Sequence, residues 1–109
     1  MIDGFYTVQF QTPMGMGGGT LTLRNGKIQG GDSTMLYRGA YSSANSQLSA
    51  SISVTTHLHV PGNVTVFGVP EVELNITAED AGTGNFNGTA TSPQAPGISM
   101  TFVMRKVPD

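Results

Sequence analysis

Residues Asp3 to Tyr41 read DGFYTVQFQTPMGMGGGTLTLRNGKIQGGDSTMLYRGAY, and the spacing of side chains in this stretch decides the fold. Tyr6, Val8 and Phe10 alternate with Thr7, Gln9 and Gln11, the two-residue period of a strand with one face buried. Thr12-Pro13 interrupts the alternation, and a second strand is predicted from about Met14 to Leu23, with Leu21 and Leu23 on one face. Gly15, Gly17, Gly18 and Gly19 fall inside it. Glycine weakens a strand interior unless the strand coils sharply or another backbone comes close, as at a barrel corner. Arg24-Asn25-Gly26-Lys27 carries the Asn-Gly pair whose positive φ angles suit a type I′ hairpin turn, so Lys27 to Gly31 is the returning strand. Gly30-Gly31-Asp32-Ser33 makes the next corner, and Met35, Tyr37, Gly39 and Tyr41 then alternate with Leu36, Arg38, Ala40 and Ser42.

Outward from that stretch the same grammar continues. A polar turn is expected over Ser42 to Ser46, followed by Leu48, Ala50, Ile52 and Val54 interleaved with serines and Thr55. From Val60 to Pro70 two prolines and Gly62 break the ladder, and an irregular loop or a helical turn is expected there. Val72, Leu74, Ile76 and Ala78 form another apolar face, with Glu79-Asp80-Ala81-Gly82 read as a turn. Phe86, Gly88 and Ala90 point inward next, and after the loop Pro93 to Gly97 a last strand carries Ile98, Met100, Phe102 and Met104. About eight strands at short, regular spacing imply an all-β, antiparallel up-and-down barrel, because closure removes the exposed sheet edges. At 109 residues the chain is a single domain, 1–109.

Charged residues make up 11% of the chain, less than half the usual share, so Ser, Thr, Asn and Gln must supply the wet face of the sheet. The net charge is −2, and Arg24, Lys27, Arg38, Arg105 and Lys106 form no basic stripe, so direct nucleic-acid binding is not expected. No window approaches the roughly 18 apolar residues of a membrane helix, and no charged start runs into an apolar stretch. No membrane association and a cytoplasmic location are therefore expected. The absence of cysteine agrees with a reducing compartment and excludes disulfides and thiolate metal sites.

No group of residues reads as catalytic. Gly31-Asp32-Ser33 opens the motif of one esterase family, but that family needs an α/β sandwich and a downstream His. Asp32 and Ser33 read instead as turn residues bonding to their own amides. His57 and His59 share a strand face, yet two imidazoles lack the third ligand that zinc or iron requires, so no metal and no cofactor is expected. Gly15-Met16-Gly17-Gly18-Gly19 resembles a phosphate loop, but it leads into Thr20-Leu21-Thr22-Leu23 rather than a helix and carries no lysine. Met14, Met16, Met35, Met100 and Met104 suit a core, an adaptable cavity or an interface. Asn63, Asn75 and Asn87 open glycosylation patterns that read as Thr-rich strand without a secretory signal. Glu79-Asp80 is a small acidic turn.

Three blocks, in order along the chain, resemble the GrlR-like family of small bacterial negative regulators of type III secretion gene expression. They are Asp3-Gly4-Phe5-Tyr6-Thr7-Val8, the segment Asn25 to Ser33 with Tyr37-Arg38-Gly39-Ala40-Tyr41, and His57 with Pro61 to Gly68. The resemblance implies a lipocalin- or calycin-like eight-stranded barrel with at most one short helical turn, forming a homodimer. It also implies a non-enzymatic function, the binding of a transcriptional activator through an acidic stretch after the fourth strand. The equivalent turn here, Ser42 to Gln47, has no acidic residue, so Ala44, Asn45, Ser46 and Gln47 mark the expected partner-binding loop without its charge. The alternative function is a carrier of a small apolar ligand, since barrels of this size hold one. Its interior pocket is expected to be lined by Tyr6, Phe10, Tyr37, Tyr41, Phe86 and Phe102.

Overall fold

A computed structural model of the chain describes residues 3–58, 61 and 71–108. Its strands are β1 (Gly4–Thr12), β2 (Gly15–Arg24), β3 (Lys27–Gly31), β4 (Met35–Ala44), β5 (Gln47–Thr56), β6 (Glu71–Gly82), β7 (Asn85–Thr91) and β8 (Ser99–Lys106). Each pairs antiparallel with the next, and β1 closes onto β8 with Phe10 opposite Phe102, giving a closed eight-stranded barrel in strict sequence order. The expected all-β barrel is the fold observed. No helix among the described residues is long and apolar enough to cross a membrane. His59, and the helical turn expected between Val60 and Pro70, lie outside the described residues.

Alternation assigns the two faces. Ser49, Ser51, Thr7, Gln9, Gln29, Asn75, Thr77 and Thr89 are exposed on the outer wall, the inverse of the apolar outward band of a membrane-spanning barrel. Inside, Tyr6, Leu23, Ile28, Leu48, Ile52, Ala78, Phe86, Ala90 and Met104 are each at most 4% exposed. Three inward rings lie directly across from a glycine on the neighbouring strand: Phe10 from Gly17, Tyr37 from Gly30 and Phe102 from Gly88. For Phe10 and Phe102 the missing side chain opposite makes room for the ring, whereas the Tyr37 ring lies against Gly19, where a Cβ would come within 3.0 Å of Tyr37 Cε2. A Cβ on Gly17 would lie 2.5 Å from Phe10 Cε1, and one on Gly88 2.5 Å from Phe102 Cζ. An aromatic ring covering a cross-strand glycine protects the backbone there and fixes the register.

Two boundaries differ from the sequence reading. β4 runs on to Ala44, with Ser42 paired to Ser49 and Ser43 to Leu48, so the expected turn over Ser42 to Ser46 shrinks to Asn45-Ser46. Both residues have positive φ, 53° and 66°, as a type I′ turn demands. β6 likewise continues through Glu79-Asp80-Ala81-Gly82, and the turn is Thr83-Gly84. The register shifts between Asp80 and Gly82, where Asp80 Oδ1 accepts from Gly82 N at 2.7 Å. This is a bulge that absorbs one extra residue at the barrel rim.

The connections alternate between the two ends. The turns at Asn25-Gly26, Asn45-Ser46 and Thr83-Gly84 lie at one end, which Tyr6, Leu23 and Phe86 fill. The Tyr6 and Phe86 rings meet edge to face, 6.3 Å between centroids. The corner at Asp32-Ser33-Thr34, the turn at Pro13-Met14, the end of β5 at Thr56, the start of β6 at Glu71 and the loop Ser92 to Ile98 all lie at the other end.

Candidate functional site

The end bearing Asp32 is hollow. A cavity of about 280 Å³ extends into the barrel, walled by Phe10, Tyr37 and Phe102 on one side and by aliphatic side chains of β5 and β6 on the other, among them Ala50, Ile52, Leu74 and Ile76. Met35, Met100 and Met104 contribute flexible, polarisable surface. The Phe10 and Tyr37 rings meet edge to face, 6.5 Å between centroids and 78° between planes. Tyr6, Leu23 and Phe86, below, close the barrel.

The opening is lateral, and its position follows from strand length. β3 ends at Gly31, opposite Thr20, so Gly15 to Gly19 pair with β1 alone among the described strands. Met16 and Gly18 face away from the barrel axis relative to Gly17, yet both border the cavity, as do Asp32, Ser33 and Thr34 across the gap. The glycine run of β2 is thus one jamb of the opening and the β3–β4 corner is the other. Met16 is 75% exposed there, and Met14, Leu36 and Leu58 stand exposed at the same end.

One polar constellation faces this otherwise apolar space. Asp32 Oδ1 accepts from the main-chain nitrogens of Thr34 at 2.9 Å and Met35 at 2.8 Å, the self-capping geometry that makes Asp a corner residue. Its Oδ2 accepts the hydroxyl proton of Tyr37. Burial pushes the Tyr37 phenol far above its ordinary range, and the bond to Asp32 pushes it further; it stays a neutral donor. The corner is held from outside by the chain leaving β5: Thr34 O accepts from His57 N at 2.8 Å and Leu58 N at 3.2 Å. His57 Nε2 lies 3.0 Å from the Asp32 main-chain oxygen, so that nitrogen carries the proton.

A second Tyr–Asp pair ties the closed end. Tyr41 donates to the Asp3 carboxylate, which also accepts from Asn25 N at 3.3 Å. The bond from Tyr41, then that from Asn25, holds the Asp3 carboxyl below its usual range. Burial, then the bond to Asp3, raises the Tyr41 phenol. This pair joins the start of the chain to β4 and the β2–β3 turn.

Of the six aromatic residues expected to line an interior pocket, Phe10, Tyr37 and Phe102 border the cavity. Tyr6 and Phe86 pack on each other at the closed end, and Tyr41 lies on the inner face toward the same end, bound to Asp3. The aliphatic wall and the Asp32–Tyr37 bond were not foreseen. Of the expected partner-binding loop, Ala44 and Gln47 are paired strand residues and only Asn45 and Ser46 form the turn, at the end opposite the opening. Gly15 to Gly19 lie in strand β2, with no helix to receive a phosphate. Among the described residues no group of three His, Cys, Asp or Glu is placed to hold a metal. In comparisons with known proteins the chain matches no family model and no curated sequence, so a functional reading rests on the barrel, its cavity and the Asp32–Tyr37 corner.

Proposed function

We propose that the protein is a non-enzymatic binding barrel that takes up a small apolar ligand through the lateral opening beside β2. The observation that carries this is the cavity of about 280 Å³, close to the lower end of the range for small-molecule pockets, roughly 300–1,000 Å³. A barrel of eight strands is the size at which side chains either fill the interior or leave space for one ligand, and here Gly17, Gly19 and Gly88 let the rings of Phe10, Tyr37 and Phe102 lie against the wall. Apolar walls with a few fixed polar groups at one end are the usual composition of such a site. Native mass spectrometry of the purified protein tests the reading, together with uptake of a fluorescent apolar probe. The expected result is a retained or titratable small molecule at one per chain; a protein that neither retains one nor takes up any apolar probe contradicts it.

A second reading follows the GrlR-like resemblance: a homodimeric, cytoplasmic negative regulator of type III secretion genes that binds a transcriptional activator. What supports it is the set of exposed apolar side chains Met14, Met16, Leu36 and Leu58 at the open end, since clustered exposed hydrophobics mark interaction surfaces. It does not draw on the β4–β5 turn, which is tight and uncharged. Capture of the tagged protein from its own host, with secretion-gene transcripts measured in a deletion strain, tests this reading. Unchanged transcripts and no captured activator count against it.

A further inference from the structure

Asp32 is the one charged side chain among the described residues bordering the cavity. Its Oδ1 is occupied by Thr34 N and Met35 N, with Thr34 Oγ1 at 3.4 Å. Its Oδ2 takes the Tyr37 hydroxyl proton, and a carboxylate oxygen has room for a second donor. Tyr37, with its hydroxyl hydrogen engaged by Asp32, has only lone pairs left to offer. The side-chain donors of this corner are therefore spent on Asp32 itself, apart from the exposed hydroxyl of Ser33, which rotates to either role. What the corner offers a guest is acceptors and negative charge, with no lysine or arginine on the described wall to offset it.

We propose that the ligand is a small apolar amine, its hydrocarbon body in the cavity and its ammonium at the opening, bound by Asp32 Oδ2 and the Tyr37 hydroxyl oxygen. The proposal rests on the ligand-binding reading above. The volume is nearly twice that of a ~150 Å³ cavity that accepts benzene, so the body is on the order of ten heavy atoms. Ammonium–carboxylate bonds are stronger than neutral ones, whereas a carboxylate guest beside Asp32 would meet repulsion with nothing to neutralise it. The site thereby selects against fatty acids of the same length.

Isothermal titration calorimetry with n-octylamine, n-octanol and octanoate separates this proposal from the reading beneath it. The amine is expected to bind on the order of tenfold more tightly than the alcohol, with octanoate weakest. Asp32→Asn keeps an oxygen for the two main-chain nitrogens, and should bring the amine to the level of the alcohol measured on the same variant. Tyr37→Phe leaves Oδ2 available and should retain the preference for the amine. If Asp32→Asn does not fold, the salt dependence of the amine preference decides in the parent protein and in Tyr37→Phe: a preference that shrinks with added salt supports the proposal, and one indifferent to salt overturns it. Equal affinities, or octanoate binding best, overturn the amine assignment and leave the apolar cavity standing. Failure of all three to bind overturns both.

Discussion

Tyr37 and Asp3 impose opposite pH dependences on the fold. The Tyr37 phenol ionises near pH 10 in an unfolded chain and higher when folded. Below pH 10 both states hold the proton and the stabilising effect is complete; above it the unfolded chain deprotonates first, and stability is lost as pH rises toward the folded value. Tyr6 and Tyr41 shift the same way, and the chain has three tyrosines and no tryptophan. An alkaline titration of the native protein followed by tyrosinate absorbance should show less ionisation at pH 10 than three free phenols give, with Tyr37 ionising last and together with loss of β circular dichroism. All three phenols titrating normally in the folded protein would contradict the Asp32–Tyr37 geometry. Asp3, held low, contributes above its ordinary 3.8 and loses that contribution as pH falls through its folded value. Glycine supplies the other prediction for a single position. A Cβ on Gly88 would lie 2.5 Å from both Phe102 Cζ and the Thr77 main-chain oxygen, whereas one on Gly18 meets only Val8 O at 3.3 Å. Gly88→Ala should destabilise by about 1–3 kcal/mol and Gly18→Ala by less, read from urea midpoints at unchanged slope.

The β4–β5 hairpin shows what a strand pair can and cannot reveal from its residues. Ser46 holds a positive φ of 66°, a region that L-residues avoid and glycine does not. Ser46→Gly should therefore stabilise the hairpin, by about 0.5–1 kcal/mol, detectable as a raised melting temperature; a loss of stability would show that the Ser side chain, rather than its backbone, matters there. The sequence reading placed this turn too broadly because Ser42, Ser43 and Ala44 lie at the rim, where both faces of a strand are wet and polarity no longer alternates. The same reason hid the extension of β6 through the Asp80–Gly82 bulge. In the body of the barrel one face is dry, and alternation in Asp3 to Tyr41 was enough to place β1, β3 and most of β2 and β4. The site was only half legible. Alternation tells which side of the wall Tyr6, Phe10, Tyr37, Tyr41, Phe86 and Phe102 face, but height along the barrel depends on register. Register is what separates Phe10, Tyr37 and Phe102 at the cavity from Tyr6, Phe86 and Tyr41 toward the closed end. The Asp32–Tyr37 bond joins residues five positions apart, across the corner from Asp32 to the third residue of β4, and polarity alternation carries no sign of it.

For the barrel taken together, the decisive property is uneven filling: solid at the end of Tyr6 and Phe86, hollow at the end of Asp32. Two alanines on the inner face sample filled and empty space, whatever their height along the barrel. Ala50 borders the cavity, while Ala90 is 1% exposed, lies opposite Ile76 and Met100, and does not border it. Ala90→Leu forces added volume into filled space, and overpacking of that kind costs about 1–3 kcal/mol. Ala50→Leu adds the same atoms where there is room, so its effect on stability should stay within about 1 kcal/mol in either direction. The two substitutions should then part in the opposite order on binding. Ala50→Leu occupies volume that the ligand needs and should weaken uptake of an octyl-sized apolar probe at near-parental stability, whereas Ala90→Leu should weaken the fold and leave binding by the folded fraction intact. Denaturation curves and probe titrations on the two proteins read both quantities. Equal destabilisation by the two leucines would mean that the barrel is filled throughout, and the ligand-binding reading would fall with it.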